Sequence, residues 1–425
     1  MAVRTAARQY HRNKTPALFL KLDITKAFDS VRWEYLLNLL QRLGFPQRWR
    51  DWIAALLSTS TSRVFLNGVP NPPIRHGRGL RQGDPLSPLL FVLAIDPLQR
   101  ILDLATEMGA LTKLRGKGPH LRISMYADDA ALFVAPSQEE VRTLASILSS
   151  FGEVTGLKTN FKKSTIIPIQ CQGIDLSSVL NGLTVKRASF PIRYLGLPLS
   201  TTRLKNVDFQ PVVDKMTGKL NAWNGRNVTM SRRLTLVKSV LTSQVIHLLS
   251  ALRVPKGILK LIDNKRKQFL WAGNEVLTGG KCKVNWIRAA RSKKGGGLGI
   301  LHLGKFSRAL RLRWLWKLCK KENGQWLDSE TPCTNKDKHF FAAATTITVG
   351  NGDSIPFWDS AWLQGRRPRD IAPTVYNISR RKNRSLRAAL LNSNWVRDLD
   401  LHNAHFSTVH YISVNIASSG FKLAK

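Results

Sequence analysis

The sequence predicts an α+β fold, an antiparallel sheet covered by helices on one face, followed by a mainly helical and strongly basic region. Two observations carry the first half. Short β-prone apolar runs occur at residues 18–22, 121–125, 130–135 and 165–169, and segments with helical spacing of apolar residues separate them. Strand, helices, hairpin, helix, strand is the order of an α+β layer. Beyond residue 200 the spacing stays helical while Lys and Arg accumulate.

The 425 residues suffice for two or three domains. A hydrophobic content of 43% excludes wholesale disorder. The 66 Lys and Arg outnumber the 27 Asp and Glu, giving a net charge of +39. Such a surplus points to a polyanionic partner, first of all nucleic acid. A membrane surface is the lesser alternative, because no apolar run of 18 residues offers a spanning helix. The four cysteines, 171, 282, 319 and 333, form no CxxC pair, as expected for free thiols in a reducing compartment. Cys319, Cys333 and His339 would make a partial zinc site that lacks a fourth ligand.

No apolar core of a secretory signal opens the chain. Residues 1–22 carry Arg4, Arg8, Arg12, Lys14 and Lys21 and no acid. That composition suits a mitochondrial transit segment or a basic nucleic-acid-binding segment; the second is preferred because it runs straight into a strand.

Leu18 to Leu22 form that strand, with Asp23 at its end. Asp29 or Ser30 is placed to cap a helix carrying Trp33, Leu36, Leu37, Leu40 and Leu43, which Gly44 and Pro46 stop. A second helix is expected over residues 47–57. Residues 62–66 read as a strand, and Asn67-Gly68 is a strong hairpin signal. Ser87 is placed to cap a buried helix with Pro88 at its first position and a kink at Pro97. Ser137 and Glu140 spell a capping box for a helix bearing Val141, Leu144, Leu148 and Phe151. Further on, Leu234, Val237, Leu241, Val245 and Leu248 share one helical face, with Arg232, Arg233 and Lys238 elsewhere on that helix. Ile258, Leu261, Ile262 and Phe269 share another, with Lys265 and Arg266 expected off it. The stretch 308–321 interleaves basic residues with Trp314 and Trp316, a pattern that suits nucleic acid or, for each Trp taken singly, a core. Gly295–Gly299 lacks the Gly-Lys-Ser/Thr of a phosphate loop and is expected to be a flexible loop.

Tyr126-Ala127-Asp128-Asp129 lies between two of the strands, as the tight turn of a hairpin. Alone it is equally a solvated turn. With Asp23 about a hundred residues upstream, pairing of the hairpin beside the first strand would bring three carboxylates to one sheet edge. Neighbouring carboxylates are costly to desolvate unless a cation neutralises them, and hard oxygen ligands suit Mg²⁺. Two such ions about 3.5–4 Å apart would serve in-line phosphoryl transfer.

These residues carry a family resemblance. Leu22-Asp23-Ile24-Thr25-Lys26-Ala27-Phe28-Asp29-Ser30-Val31 resembles the first palm motif of non-LTR (LINE-type) retrotransposon reverse transcriptases. Gly79-Leu80-Arg81-Gln82-Gly83-Asp84-Pro85-Leu86-Ser87-Pro88-Leu89-Leu90-Phe91 resembles the second, Tyr126 to Asp129 the third, and Gly156-Leu157-Lys158-Thr159-Asn160 with the following residues to Ser164 the fourth. Tyr194-Leu195-Gly196 resembles the primer grip. The downstream text, including Gly350 to Trp358, is similar to plant elements of this kind.

The resemblance implies a right-hand polymerase palm with partial fingers over residues 1–170 and a primer-grip segment at 171–200. It implies a helical basic thumb-like region at 201–321 and a Trp-containing extension at 322–425. Asp23, Asp128 and Asp129 would be the catalytic carboxylates, holding two Mg²⁺ (or Mn²⁺) with help from the Ile24 carbonyl. Phe28 would lie against the sugar of the incoming nucleotide, or else be a core ring at a helix entry. Gln82 and Gly83 would meet the nucleotide, and Lys163 would donate a proton to pyrophosphate or be a solvated loop lysine. Arg232, Arg233, Lys238, Lys265 and Arg266 are candidate nucleic-acid contacts. The expected activity is RNA-directed DNA polymerisation from dNTPs on an RNA template and DNA primer, in the nucleus. A catalytically inactive nucleic-acid-binding remnant and a group II intron maturase-like protein are the alternatives. With only about 22 residues before the first motif, an N-terminally truncated form of such an element is expected.

Overall fold

A computed structural model describes residues 1–114, 121–222, 228–273, 282, 284–320, 330–345, 347–363 and 365–399. The chain divides into two compact units. One comprises residues 1–307 and 320–331, the other residues 308–319 and 332–425.

In the first unit α1 (Ala2–Arg12) leads into β1 (Ala17–Leu22), a short turn of helix α2 (Ala27–Ser30), and helices α3 (Trp33–Arg42) and α4 (Gln47–Ser58). Four two-residue strands follow, β2 (Thr61–Ser62), β3 (Phe65–Leu66), β4 (Val69–Pro70) and β5 (Ile74–Arg75), then the long α5 (Ser87–Glu107). Strands β6 (Ile123–Tyr126) and β7 (Asp129–Val134), helix α6 (Gln138–Thr155), β8 (Thr165–Ile169), α7 (Leu176–Val179) and β9 (Lys186–Arg187) complete the layer. The hairpin β10 (Ile192–Tyr194) and β11 (Leu197–Leu199) comes next. The 65–70 hairpin turns on Asn67 and Gly68, both with positive φ, as its sequence requires.

The five-stranded sheet runs β6-β7-β1-β8-β9, with β1 in the middle. β1 is antiparallel to both β7 and β8, whereas β9 runs parallel to β8, so the sheet is mixed at one edge. Alternation along β1 sends Leu18, Leu20 and Leu22 to one face, into a core with Leu36, Leu40, Phe91 and Leu148 from the helices. Phe19 goes to the other face, beside Phe133 and Ile167.

That second face is covered too, which corrects the expectation of helices on one side. Val3, Ala6 and Ala7 of α1 pack there, and the Tyr10 ring stacks on Phe133 at 5.3 Å. The basic N-terminal segment is therefore a packed amphipathic helix; its apolar positions 3, 6, 7 and 10 follow helical spacing.

Three predicted caps are built differently. Ser137 does cap α6, accepting from the Glu140 N–H, but the Glu140 carboxylate turns inward to Arg122 (3.0 Å) and to the hydroxyl and N–H of Thr112. Arg122 and Glu140 are both buried, so each needs the other's charge more than the helix end needs a second cap. Asp84, not Ser87, opens α5, accepting from the Leu86 N–H and the Ser87 hydroxyl. Asp29 and Ser30 fall inside α2, and Arg32 precedes α3.

The helical region holds α8 (Gln210–Ala222), α9 (Met230–Leu236) and α10 (Ser243–Ala251), the last two joined through a π-helical stretch at Val237–Leu241, and α11 (Lys256–Ala272). The helix Met230–Ala251 is long and apolar enough to cross a membrane by length and composition, although no such run was evident in the sequence. Its Val237, Leu241, Val245, Leu248 and Leu249 are buried within the protein, as in a core helix.

Arg266 is a correction. Ile262, Arg266 and Phe269 fall on one stripe of α11, and Arg266 is fully buried. Its guanidinium bonds Asp263 at 2.7 Å, the Leu301 carbonyl at 3.1 Å and the Thr242 hydroxyl at 3.0 Å. It braces three segments and is not available to nucleic acid. Gly295–Gly299 is likewise a tied turn: the N–H groups of Gly297, Leu298 and Gly299 donate to Ser292, Ala289 and Arg291.

In the second unit Phe357, Trp358, Trp362 and Trp395 form the core, while Trp326 lies outside the described residues. Asp337, almost fully buried, pairs with Arg308 and Arg311.

Candidate active site

Register delivers the carboxylates. Leu22 pairs with Ala130, so the next position sets Asp23 opposite Asp129. Tyr126 pairs with Asp129 across a two-residue turn, Ala127 and Asp128, with Ala127 at φ 52°. Asp128 stands exposed at the tip, and the Asp129 carboxylate lies 3.6 Å from the Lys21 ammonium.

Asp23 is held from the opposite side. Its N–H donates to the Ser164 hydroxyl at 3.0 Å, and its carbonyl accepts from Asn160 N–H at 2.8 Å. Ile24 then bridges Thr159, and the Thr25 N–H donates to the Lys158 carbonyl. In this antiparallel pattern the Ile24 carbonyl turns away from residues 158–160, toward the hairpin side. Asp23, Asp128, Asp129 and that carbonyl thus share one end of the β1–β7 pair.

Two remote loops dock on the segment after Asp23. Gly79 N–H donates to Val31 O (2.8 Å) and Leu80 N–H to Phe28 O (2.7 Å), while the Trp33 indole donates to Gly79 O. Gly79 has φ +87°, and a β-carbon there would stand 2.7 Å from the Asp29 carbonyl oxygen. The approach brings the Gln82 amide to the Asp29 carboxylate at 3.2 Å. Gly83 follows at φ +93° with open space beside it. From the other direction Gly156 presses on the Ser30 carbonyl, and Arg32 N–H donates to Thr155 O.

Phe28 stacks nearly parallel on buried Phe91, centroids 4.6 Å apart, and remains half-buried. Lys163 is exposed in the loop that holds Asp23; its N–H donates to Asn160. The turn of the β10–β11 hairpin is Leu195-Gly196, both at positive φ. Tyr194 is buried edge-on to Phe19, and its hydroxyl reaches the Ser124 hydroxyl at 3.5 Å. Burial raises the Tyr194 phenol pKa. The hairpin therefore rests on the Phe19 face of the sheet, toward which alternation also directs Lys21 and Asp129.

The donor set, three carboxylates and a carbonyl, suits a hard divalent cation. Among the described residues no three His, Cys, Asp or Glu side chains already converge into a cage. Asp128 is exposed at the tip and Lys21 pairs with Asp129. Cys319, Cys333 and His339 do not form such a cluster either: the Cys333 thiol donates to the Arg311 carbonyl and Cys319 is exposed.

Of the basic candidates, Arg232 is exposed, and Lys238 and Lys265 are partly so. Arg233 bonds the Val228 and Leu270 carbonyls and is tied into the fold. Sequence reasoning missed Ser164 as the clamp on Asp23 and Lys21 as the partner of Asp129. No local signal marks Ser164; the alternation of β1 marks Lys21.

Residues 2–199 match the family model described as reverse transcriptase (RNA-dependent DNA polymerase). The 149 kDa protein of transposon TX1 from Xenopus laevis is 26% identical over 326 residues, 72% of this chain and 23% of that protein. The Pol polyprotein of the type-2 retrotransposable element R2DM from Drosophila melanogaster is 27% identical over 319 residues, 72% of this chain and 29% of that one. An R2 Pol polyprotein from Popillia japonica is 32% identical over 188 residues, 42% of this chain and 26% of that one. The chain thus spans about a quarter of the length of these relatives. The motif order, the docked loops and the sheet topology agree with these matches: residues 2–199 match a reverse transcriptase domain and are similar to the Pol proteins of non-LTR retrotransposons.

Proposed function

We propose that the chain is an RNA-directed DNA polymerase, extending a DNA primer with deoxynucleotides on an RNA template. That Asp23, Asp128 and Asp129 share one end of β1 and β7 carries this reading. Asp23 and Asp128, with the Ile24 carbonyl, would hold divalent cations, Mg²⁺ or Mn²⁺, and Asp129 would add negative charge beside them. The chemistry such ions would supply there is a lowered pKa for the primer 3′-hydroxyl and neutralisation of the triphosphate charge.

The chain's own residues do the rest. The clamp of Ser164 and Asn160 on the Asp23 backbone fixes the carboxylate against the charge of its neighbours. Gln82, set beside Asp29, offers an amide to the incoming nucleotide, and Gly83 leaves room for close approach. The edge of Phe28 bars a ribose 2′-hydroxyl. Lys163, exposed on the loop behind Asp23, gives a proton to the departing pyrophosphate. The Leu195-Gly196 turn holds the primer end, and exposed cations such as Arg232 hold phosphates. Such a protein would work in the nucleus, which a fluorescent fusion tests.

Primer extension on a primed RNA template is the deciding experiment. Incorporation of dNTPs in Mg²⁺ that Asp128→Ala abolishes is expected. Failure of the intact chain to extend, or extension indifferent to Asp128→Ala, overturns the proposal.

A further inference from the structure

A cleft of about 430 Å³ opens between the β10–β11 hairpin, Gly196 of its turn included, and the helices α8 and α10. This is the size of a small-molecule site. Ile192, Pro198, Pro211 and Val212 give it flat apolar walls. Arg193, Lys215 and His247 also line it and are exposed. The single lining carboxylate, Asp208, is engaged by the Lys205 N–H at 2.6 Å.

Gln244 is the unexplained group in this cleft. Its amide nitrogen and amide oxygen are both buried, and neither has a hydrogen-bond partner. A buried amide without partners is a standing cost to the fold. The helix that carries it is distorted immediately upstream. At the π-helical stretch Val237–Leu241 the Thr242 N–H donates five residues back to Val237 O, and its hydroxyl bonds the same oxygen at 2.7 Å. The extra residue in that turn rotates everything after it, and Gln244 and His247, one turn apart, come to line the cleft. Single π turns inside α-helices concentrate at functional sites.

An amide presenting donor and acceptor side by side pairs with a ligand edge that does the same, as the N6/N7 edge of adenine does. Flat walls suit a planar ring, and a cationic rim suits a phosphate. We infer that this cleft binds an adenine nucleotide, with the base edge on the Gln244 amide and the phosphate toward Lys215 and Arg193. The ligand is a free nucleotide or one residue of a bound strand; both present the same chemistry. Occupancy would tie the β10–β11 hairpin to α8 and α10.

The test uses the full chain in EDTA, which leaves any metal-dependent nucleotide site unloaded and so separates this inference from the polymerase proposal. Titration calorimetry with AMP should show saturable binding, weakened at least tenfold by Gln244→Leu. Lys215→Ala should weaken AMP more than adenosine. Gln244→Leu should also raise the Tm of the ligand-free protein by about 2 °C or more, because it removes the unpartnered amide. No saturable AMP binding overturns the inference, and so does binding unaffected by Gln244→Leu. If Gln244→Leu does not fold, equal losses of AMP and adenosine, or no loss, in the surface variant Lys215→Ala overturn it instead. Competition by an adenine-containing oligonucleotide identifies a strand residue as the ligand; AMP binding without competition identifies the free nucleotide.

Discussion

The Lys21 ammonium lies 3.6 Å from the Asp129 carboxylate, two strand positions before Asp23 on the same sheet face. Both side chains are at least a third exposed, so the pair adds little to stability. Its effect is on charge at the candidate metal site. Lys21→Met should leave the unfolding midpoint nearly unchanged while tightening divalent cation binding by about 1 kcal/mol, roughly fivefold. Calorimetric titration with Mn²⁺ reads this directly. Weaker binding in Lys21→Met would show that the lysine organises the carboxylates and does not compete for them.

The three glycines near the site should respond differently to a methyl group. At Gly79 and Gly156 a β-carbon meets the backbone of residues 29 and 30, and both have positive φ. Gly83 has positive φ but open space. Gly83→Ala should cost only the left-handed strain, about 1–2 kcal/mol. Gly79→Ala and Gly156→Ala add a backbone clash and should each cost about 3 kcal/mol or more. Urea unfolding of the three variants decides it. Equal losses at all three would mean that neither loop is docked on the segment after Asp23.

Much of this geometry was open to reading. The apolar run Leu18 to Leu22 announces a strand, though not that both of its faces are covered, and Asn67-Gly68 turns as expected. The carboxylate cluster follows from strand pairing, since a shift of one residue would send Asp129 to the wrong face. Other features depend on partners that local sequence does not name. Arg266 has the composition of a surface residue, and only the Leu301 carbonyl and Thr242, far along the chain, explain its burial. Glu140 looks like half of a capping box until Arg122 folds beneath it. The helix Ala2–Arg12 was legible in its 3, 6, 7, 10 spacing; its dense positive charge suggested an exposed segment.

Arg266 and Arg232 separate structural from binding cations. Arg266→Met removes the partner of Asp263 and leaves the Thr242 hydroxyl and Leu301 carbonyl facing an apolar chain. It should cost about 3–5 kcal/mol of stability. Arg232→Ala should barely affect stability, yet lower the slope of log binding against log salt by about one if Arg232 meets a phosphate. Denaturation together with salt-dependent RNA binding distinguishes the two. A normal unfolding midpoint for Arg266→Met would undo its assignment as a brace.

Asp337 makes the second unit acid-sensitive. Burial works to raise its carboxyl pKa, but the Thr334 N–H and hydroxyl and the Arg311 guanidinium outweigh burial and hold it below the ordinary value of 3.8. A depressed carboxyl contributes stability that is fully present above the unfolded value and lost as pH falls through the folded one. The unit's stability should therefore hold down to about pH 4 and decline below it. Trp358, Trp362 and Trp395 form its core and report the loss by fluorescence. Asp337→Asn should shift the tryptophan transition to lower denaturant at neutral pH and flatten the acid limb. An unchanged acid limb would mean that another carboxylate controls it.

Phe28 poses the sharpest choice between packing and selection. Its stack on Phe91 would suffice to explain a ring at a helix entry, worth about 0.5–1.5 kcal/mol beyond area burial. Yet it lies two positions beyond the Lys26 backbone turn, and its carbonyl anchors Leu80 of the loop that carries Gln82. The stack fixes the ring's plane, so the half-exposed edge is a rigid wall, which is what rejection of a single hydroxyl requires. Phe28→Val shortens that wall and loses the stack; Phe28→Tyr keeps both. If the edge excludes the ribose hydroxyl, Phe28→Val should narrow the preference for dNTPs over rNTPs by at least about tenfold, or ~1.4 kcal/mol, with Phe28→Tyr close to the parent. If the ring is core alone, Phe28→Val should lower Tm and leave the dNTP/rNTP ratio of kcat/KM unchanged. Measuring that ratio beside Tm in the same variants assigns the residue, because stability loss alone affects both nucleotides equally.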